Sequence, residues 1–212
     1  MSLSIGEREL NPRQSYPDRA PLPRNLVRVP IVQQAQGFSC GAAATLILLR
    51  YWLVDPYSRV DESALYEPLQ TTHARGTEPE PMVELLRRSG LAATYRRGDV
   101  SLADLERAVD AHEPPIVDLQ AWSDHAAAWA DTWDAGHYVV MVGYDPERLY
   151  FVDPSRATPR GHAFLMRDQL EERWHDLTGE DDRPEVRMAI FARGVERWVA
   201  ADASDGDATR LG

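Results

Sequence analysis

The sequence predicts an α+β fold, in which a mainly helical first half is followed by a mainly β second half. The first half contains a long apolar run from Cys40 to about Val54, which has the length of a helix rather than a strand. The second half contains apolar segments of strand length, and two of them, His137–Tyr144 and Leu149–Asp153, form a predicted hairpin. This order of elements predicts helices packed on an antiparallel sheet.

The composition restricts the classes of function that are open to the chain. Its 212 residues suit one domain, or one domain with terminal arms. A formal net charge of −11 argues against a nucleic-acid partner and against binding to an anionic membrane. All 23 basic residues are arginine, which excludes Schiff-base chemistry and phosphate binding by a P-loop lysine. A single cysteine allows neither an internal disulfide nor a cysteine-rich metal site.

The two ends of the chain differ in composition from its centre. Residues 1–25 are polar and rich in proline, which is typical of an N-terminal arm. Residues 198–212 predict an acidic flexible tail, and the domain is expected between these ends, at residues 26–197. The start has no apolar signal core, and no apolar run reaches membrane-spanning length, so we expect a cytoplasmic protein.

Local patterns predict the elements of the first half. Asn25–Val32 alternates partly, as a short strand does, and Asp55-Pro56 ends the helix that begins at Cys40. A short helix is expected at 61–69. A second helix is expected to begin with a capping box of Thr77 and Glu80 and to end at Gly90. A strand at Leu91–Arg96 and a helix that begins at Ser101 and Asp104 follow.

The second half is expected to begin with an apolar strand at Ile116–Trp122. An acidic segment with Trp129 and Trp133 follows, which predicts a loop or short helix near the functional site. The two hairpin strands are apolar on both faces, so we expect them inside a covered sheet. The remaining expected elements are a turn at 145–148 within the hairpin, a helix at Met166–Leu177 with Trp174 facing inward, and a strand at Val186–Ala192.

Cys40 opens the long helix and is a candidate nucleophile. Ser39 is expected to cap this helix by accepting a hydrogen bond from a first-turn N–H group. The free N–H groups and the positive end of the helix dipole favour a thiolate at such a position. Gln34 lies six positions upstream, and its amide could stabilise an oxyanion together with the Cys40 backbone N–H. The alternative is a buried structural cysteine in a core helix.

A catalytic thiol needs a base within hydrogen-bond reach and a group that orients the base. His137 is the favoured base among six histidines, because it begins an apolar strand whose geometry can fix the ring. The other five are His73, His112 and His175, which are expected to be solvated, and His125 and His162, which lie in predicted loops and stay open.

Asp153 ends the second hairpin strand and is the candidate for orienting His137, whereas Asp145 is expected to cap the turn. Side chains alternate along a strand, so a hairpin that pairs Tyr144 with Leu149 without interruption would place His137 and Asp153 on opposite faces. Their pairing therefore requires an odd-length connection or a β-bulge. Each residue alone also has a purely structural explanation. His137 could be a half-buried histidine that hydrogen-bonds the backbone, and Asp153 could cap a turn before Pro154.

Taken together, these residues resemble a family of bacterial cysteine peptidases that process the double-glycine leader peptides of bacteriocins. The pattern of this papain-like family is a glutamine six residues before Cys-Gly, then a distant histidine before an apolar strand, and an Asp-Pro after a second strand. The chain matches it at Gln34, Cys40-Gly41, His137-Tyr138-Val139-Val140 and Asp153-Pro154. The resemblance extends over about Val32 to Ala192.

The resemblance implies a papain-like fold, with the cysteine on a helical half and the histidine and aspartate on an antiparallel β-sheet half. It also implies a peptide or amide substrate and no metal or organic cofactor. The best-known members of the family are fused to a transport ATPase. Because these 212 residues contain no such domain, a stand-alone member is expected.

The resulting hypothesis is a cysteine peptidase or amidase that acts through a thioester acyl-enzyme. Cys40 would attack the carbonyl, His137 would act as base and then acid, Asp153 would hold its tautomer, and Gln34 would stabilise the oxyanion. The alternatives are an acyltransferase or transpeptidase that uses the same site and a non-catalytic binding module that keeps the fold. A metal site formed by the cysteine, histidine and aspartate is disfavoured, because the glutamine would be unexplained.

Overall fold

The computed structural model of the chain describes residues 19–122, 128–158, 160–195 and 206–211. These residues form an α+β fold, in which helices pack against one large sheet, as the sequence predicts. The described helices are α1 (Cys40–Trp52), α2 (Val54–Tyr57), α3 (Pro79–Arg88), α4 (Leu102–Asp110) and α5 (Arg167–Arg173), with 3₁₀ turns at Glu62–Leu65 and Trp129–Asp131.

The described strands are β1 (Arg19–Pro21), β2 (Ala92–Arg96), β3 (Ile116–Gln120), β4 (Gly136–Tyr144), β5 (Arg148–Val152), β6 (His162–Met166), β7 (His175–Thr178), β8 (Arg183–Val186), β9 (Ala189–Arg193) and β10 (Asp207–Arg210). Eight of them form a sheet in the order β1-β10-β6-β5-β4-β3-β9-β2, and β7 and β8 form a separate hairpin. The paired strands are antiparallel except for β10 and β6, which run parallel.

Helix α1 is buried along its whole length, and Arg50 is its one residue outside the buried set. A helix that is apolar on all sides must be covered on all sides, and α1 packs against β4 on one of them. Gly41 makes this packing close, since a Cβ there would lie 2.7 Å from Thr77 Cβ and 3.1 Å from Tyr138 Cδ2. The first turn of α1 is therefore pressed against the beginning of β4.

The hairpin of β4 and β5 contains the β-bulge that the candidate site requires. Near the turn, Tyr144 pairs with Leu149. If this register continued along the hairpin, the side chains of His137 and Asp153 would lie on opposite faces. The register shifts between Met141 and Gly143, and beyond the shift Val140 pairs with Val152. Continuing this register places residue 153 opposite residue 139, so the side chains of residues 137 and 153 share one face.

Three predicted elements differ in the structure. Residues 25–32 are not a strand, and Val27 makes a single backbone bond, from its N–H to Val142 O at 2.7 Å. The helix expected at 166–177 ends at Arg173, because Trp174 leaves the helix and donates its indole N–H to Met188 O at 2.8 Å. The residues that follow form β7 instead, and β6 lies in a segment predicted as loop.

Two strands lie in the segments predicted as arm and tail. Within the sheet, Ala20 of β1 pairs with Ala208 of β10, and both are buried. The expectation of a flexible tail is therefore wrong for residues 207–210, because backbone pairing orders a segment whose polar composition does not predict a strand. Residues 1–18 and 196–205 lie outside the described residues, and the limits 26–197 for the domain remain a prediction.

The predicted helix caps have mixed outcomes. The capping box of Ser101 and Asp104 at α4 is present in both directions. The one predicted for Thr77 and Glu80 is wrong, because α3 begins after Glu78 and the Thr77 hydroxyl instead bonds the Thr71 hydroxyl at 2.8 Å.

Candidate active site

Cys40 is the first residue of α1 and is 8% exposed. It lines a cleft of about 350 Å³ together with the beginning of β4 and part of β7. Ser39 does not cap the helix as predicted. Its hydroxyl accepts a hydrogen bond from the Gln36 N–H at 3.1 Å and donates to Gln36 O at 3.0 Å, so it folds the loop before the helix. The first-turn N–H groups of α1 consequently donate no hydrogen bond to this hydroxyl.

His137 and Asp153 form a buried pair, with 2.6 Å between His137 Nε2 and Asp153 Oδ1. The same carboxylate accepts hydrogen bonds from the Ser155 N–H at 2.8 Å and from the Thr158 hydroxyl at 2.6 Å. Asp153 therefore both orients the ring and caps the turn that follows β5. Since its other two partners are donors, the carboxylate is ionised and His137 Nε2 carries a proton.

The Cys40 side chain lies close enough to the His137 ring to raise the pKa of that ring. Because Nε2 is occupied by Asp153, Nδ1 is the nitrogen that remains for the thiol. Burial by itself lowers the pKa of His137, but the charge of Asp153, its hydrogen bond to the ring and the Cys40 side chain outweigh it and raise that pKa to about 10. Burial raises the pKa of Asp153, and the His137 charge and the donated hydrogen bonds hold it below its ordinary value.

Gln34 is 8% exposed, and its backbone N–H donates to Pro154 O in the loop that begins with Asp153. Its Nε2 donates to Gln36 O at 2.8 Å, and its Oε1 is buried without a hydrogen-bond partner among the described residues. A carboxamide has two N–H groups, so one remains for a ligand. The loop is anchored where the Ala35 N–H donates to Glu62 Oε2 at 2.9 Å.

The other candidates of the sequence analysis lie elsewhere. Asp145 caps the hairpin turn as predicted, by accepting hydrogen bonds from the N–H groups of Glu147 and Arg148 at 2.8 and 2.7 Å. His175 is buried rather than solvated, with Nε2 2.7 Å from Thr132 O. The remaining histidines are His73 and His112, which are exposed, His162, which is half-buried on β6, and His125, which lies outside the described residues.

Sequence reasoning missed a carboxyl pair beside the thiol. Asp118 on β3 and Asp176 on β7 are in contact, and the charges of Cys40 and His137 both act on Asp118. A carboxylate in the middle of an apolar strand was a signal that could have identified Asp118. Asp176 carried no such signal, because it lies in a segment with helical character.

The described residues contain neither a cluster of metal ligands nor a helix that could span a membrane. Within them, no three His, Cys, Asp or Glu side chains are grouped as ligands of a metal ion. None of the helices in this part of the chain combines the length and apolar character needed to cross a bilayer.

A helix that presents the cysteine to a sheet bearing the histidine and aspartate defines the papain-like class of fold. A family model described as the Peptidase_C39 like family matches residues 26–181. The chain belongs to this C39-like peptidase family, in agreement with the resemblance stated from the sequence. No curated protein matches the chain in sequence.

Three solved structures share the fold. A double-glycine motif protease from an AMS/PCAT transporter, in complex with a leader peptide, has 19% identity and a TM-score of 0.51, over 82% of this chain and 98% of that one. The peptidase domain of Streptococcus ComA has 18% identity and a TM-score of 0.53, over 78% and 98%. A protein from Bacillus anthracis described as a C39-like peptidase has 20% identity and a TM-score of 0.57, over 81% and 96%. At these identities the likeness establishes the fold.

Proposed function

We propose that the chain is a cysteine peptidase or amidase that cleaves a peptide or amide bond through a thioester acyl-enzyme. The observation that carries this proposal is the position of the His137 ring, which bonds the Asp153 carboxylate and lies close enough to Cys40 for that side chain to raise its pKa. A structural histidine would need one partner. A ring held between a carboxylate and the sole cysteine, which lines a cleft, is suited to moving a proton to and from sulfur.

The raised pKa of His137 makes the ring an imidazolium at neutral pH. The reactive state is then a thiolate–imidazolium pair, with the proton already on the ring before substrate binds. This refines the role expected from sequence. His137 acts first as the acid that protonates the leaving amine, and as a base only in the second half of the reaction.

In the acylation step, Cys40 Sγ forms a bond to the substrate carbonyl carbon, and the carbonyl oxygen becomes an oxyanion. The C–N bond then breaks as His137 gives its proton to the leaving nitrogen, which leaves a thioester. In deacylation, water attacks the thioester carbon while His137 takes its proton, and the carboxylic acid product and the thiolate are released. Asp153 stays ionised throughout and keeps the ring oriented.

The oxyanion is assigned to two donors. The Cys40 backbone N–H lies in the first turn of α1, where helical N–H groups have no intrahelical partner. The second is the Gln34 amide, whose other N–H is committed to Gln36 O. Two donors placed in advance around a developing negative charge are a common means of stabilising tetrahedral intermediates.

A peptide substrate fits the neighbours of this chain, one of which is a protease crystallised with a leader peptide. Acyl transfer to an amine or thiol would use the same residues up to the thioester. The two outcomes differ in the group that resolves the acyl-enzyme, so product masses measured with and without added hydroxylamine distinguish hydrolysis from transfer.

Thiol reactivity tests the proposal without a known substrate. The full chain is treated with iodoacetamide at about pH 6, far below the usual thiol range near 8.5, and the labelling rate is followed by mass spectrometry. We expect a single adduct on Cys40, formed faster than on a free cysteine peptide, and a slower rate in His137→Ala, which lacks the imidazolium. Asp145→Asn, on the same hairpin but away from the ring, is the matched control. A rate equal to that of the free peptide would contradict the proposal.

A further inference from the structure

Asp118 is a buried carboxylate with an unusual lack of donors. It lies in the middle of β3, opposite Tyr138 of β4, and is 1% exposed. No N–H or O–H group of the described residues donates a hydrogen bond to either of its carboxylate oxygens. Burial of an ionised carboxylate without hydrogen-bond donors costs free energy, so Asp118 must be either protonated or paired with a cation.

Asp176 faces Asp118 from β7 and is held in place by surrounding groups. Gln120 Nε2 donates to Asp176 Oδ1 and to His175 O, both at 3.0 Å, while Gln120 Oε1 accepts from the Ala135 N–H at 2.9 Å. The carboxylate also lies over the backbone of Gly136, where a Cβ would be 2.0 Å from Oδ2. The absence of a side chain at residue 136 is thus what lets Asp176 reach this position.

Asp118 and Asp176 lie close enough for the charge of Asp176 to raise the pKa of Asp118, and we call them the acid pair. Two carboxylates in contact must share a proton. Burial, then the charge of Asp176, raises the pKa of Asp118 well above its ordinary value. Burial also raises the pKa of Asp176, although hydrogen bonds from the Leu177 N–H and Gln120 oppose the rise. The directions of both shifts favour a shared proton on the acid pair.

Several titratable groups face the acid pair from the elements around it. Cys40 on α1 and His137 on β4 act on Asp118 with opposite sign, the first raising and the second lowering its pKa. Burial, then the charges of both carboxylates, raises the pKa of Tyr138. The charge of His175 lowers the pKa of Asp176. Since residues alternate along β4, Gly136 and Tyr138 lie on the opposite face of the strand from His137. Asp118, which is paired with Tyr138, therefore lies on the opposite face of the sheet from the His137 side chain.

The cleft beside the thiol is acidic. Asp176 forms part of its wall, and the described residues that line it include three further acids, Glu78, Asp134 and Asp182. Arg75 is the one basic residue in this lining, and it is already engaged, with Glu78 Oε1 at 3.2 Å and Asp182 Oδ1 at 3.5 Å. Among the described residues, Asp134 and Asp176 are the acids of this lining that have no ion pair with an arginine.

We propose that the acid pair is a cation subsite of this cleft, which binds the ammonium or guanidinium group of a basic residue beside the scissile bond of the substrate. Asp176 makes the direct contact, and Asp118 lies behind it and adds a second negative charge. When the cation binds, it replaces the shared proton, which passes to solvent. This proposal rests on the proposed function, because it names a feature of the substrate for the same site.

Binding to an inactive full-length variant tests the subsite separately from catalysis. In Cys40→Ala, calorimetry compares acetyl-arginine amide with acetyl-citrulline amide, which has nearly the same shape but no charge. We expect the arginine ligand to bind about tenfold or more tightly, as charge-assisted hydrogen bonds to a carboxylate allow. Repeating the titration at neutral pH in two buffers of different ionisation enthalpy should reveal release of about one proton for each bound arginine ligand.

The variants Asp176→Asn and Asp118→Asn, each made in the Cys40→Ala background, should bring the arginine-to-citrulline affinity ratio close to one and abolish proton release. Asp181→Asn, an exposed acid outside the cleft lining, is the matched control and should keep both. An equal affinity for the two ligands, or an unchanged ratio in Asp176→Asn with only a lower melting temperature, would overturn the proposal and leave the acid pair a structural contact between β3 and β7. Failure of the thiol-reactivity test with a retained binding preference would instead overturn catalysis alone.

Discussion

A backbone hydrogen bond joins Gln34 to Pro154, with the Gln34 N–H donating to the Pro154 carbonyl oxygen at 2.8 Å. It connects the loop before α1 to the loop after β5. Arg156 strengthens the connection, since its Nε donates to Gln34 O at 3.2 Å and its Nη2 to Ala35 O at 3.0 Å. The proposed oxyanion donor and the loop that begins with Asp153 are therefore held against each other.

The first prediction concerns Arg156 as a positioning residue for Gln34. Arg156→Ala removes both bonds to the Gln34 loop, and we expect kcat to fall about tenfold with little change in KM, which corresponds to about 1.4 kcal/mol of transition-state stabilisation. Iodoacetamide labelling of Cys40 should be unchanged, because the thiol and its ring are not touched. Arg160→Ala, an exposed arginine farther along the same loop, is the control and should keep kcat.

The second prediction ranks the proposed catalytic residues. Cys40→Ala should abolish turnover without loss of folding, because alanine suits the first turn of a helix. His137→Ala should cost nearly as much, since members of such a group act as a unit. Gln34→Ala should cost less, about 10²–10³-fold in kcat, as for one oxyanion donor. Any peptide cleavage that survives both Cys40→Ala and Gln34→Ala would belong to a different site.

The third prediction follows from the pKa of His137. In the parent chain the ring stays protonated until the pH rises through about 10, so the alkaline loss of activity should lie near that value. The negative charge of Asp153 is the largest of the effects that raise the pKa of His137, so removing that charge must lower this pKa. In Asp153→Asn the alkaline limb of kcat/KM should therefore move to lower pH, by about one to three pH units. The same limb measured in Asp145→Asn should not move, and a shift there would contradict the assignment.

Elements whose conformation depends on nearby residues could be predicted from the sequence. The apolar run of α1, the capping box of α4 and the hairpin strands are of this kind. The need for either an odd-length connection or a bulge also followed from the alternation of side chains, once His137 and Asp153 were assumed to pair. The place of the bulge near Val142 did not, because the bulge coincides with a contact from a distant segment, the Val27 N–H to Val142 O.

The missed features depend on contacts between segments far apart in sequence. β7 has the composition of a helix end and becomes a strand only because β8 pairs with it, for instance His175 with Val186. The Asp118–Asp176 contact requires that same strand to lie over β3. Local pattern could mark Asp118 as an anomaly in an apolar strand, but it could not identify the partner.

The last prediction uses Gly136 to test how the acid pair is held. In Gly136→Ala the new Cβ would lie 2.0 Å from Asp176 Oδ2 and 2.5 Å from its Cγ, so the Asp176 carboxylate must move from its present position. We expect a loss of about 1–3 kcal/mol in the free energy of unfolding, measured by urea denaturation, as for other overpacked sites. Gly37→Ala is the matched control, because a Cβ there meets no atom within 4 Å and the substitution only restricts the unfolded chain. Equal stability of the two variants would show that Asp176 does not need the bare backbone of residue 136.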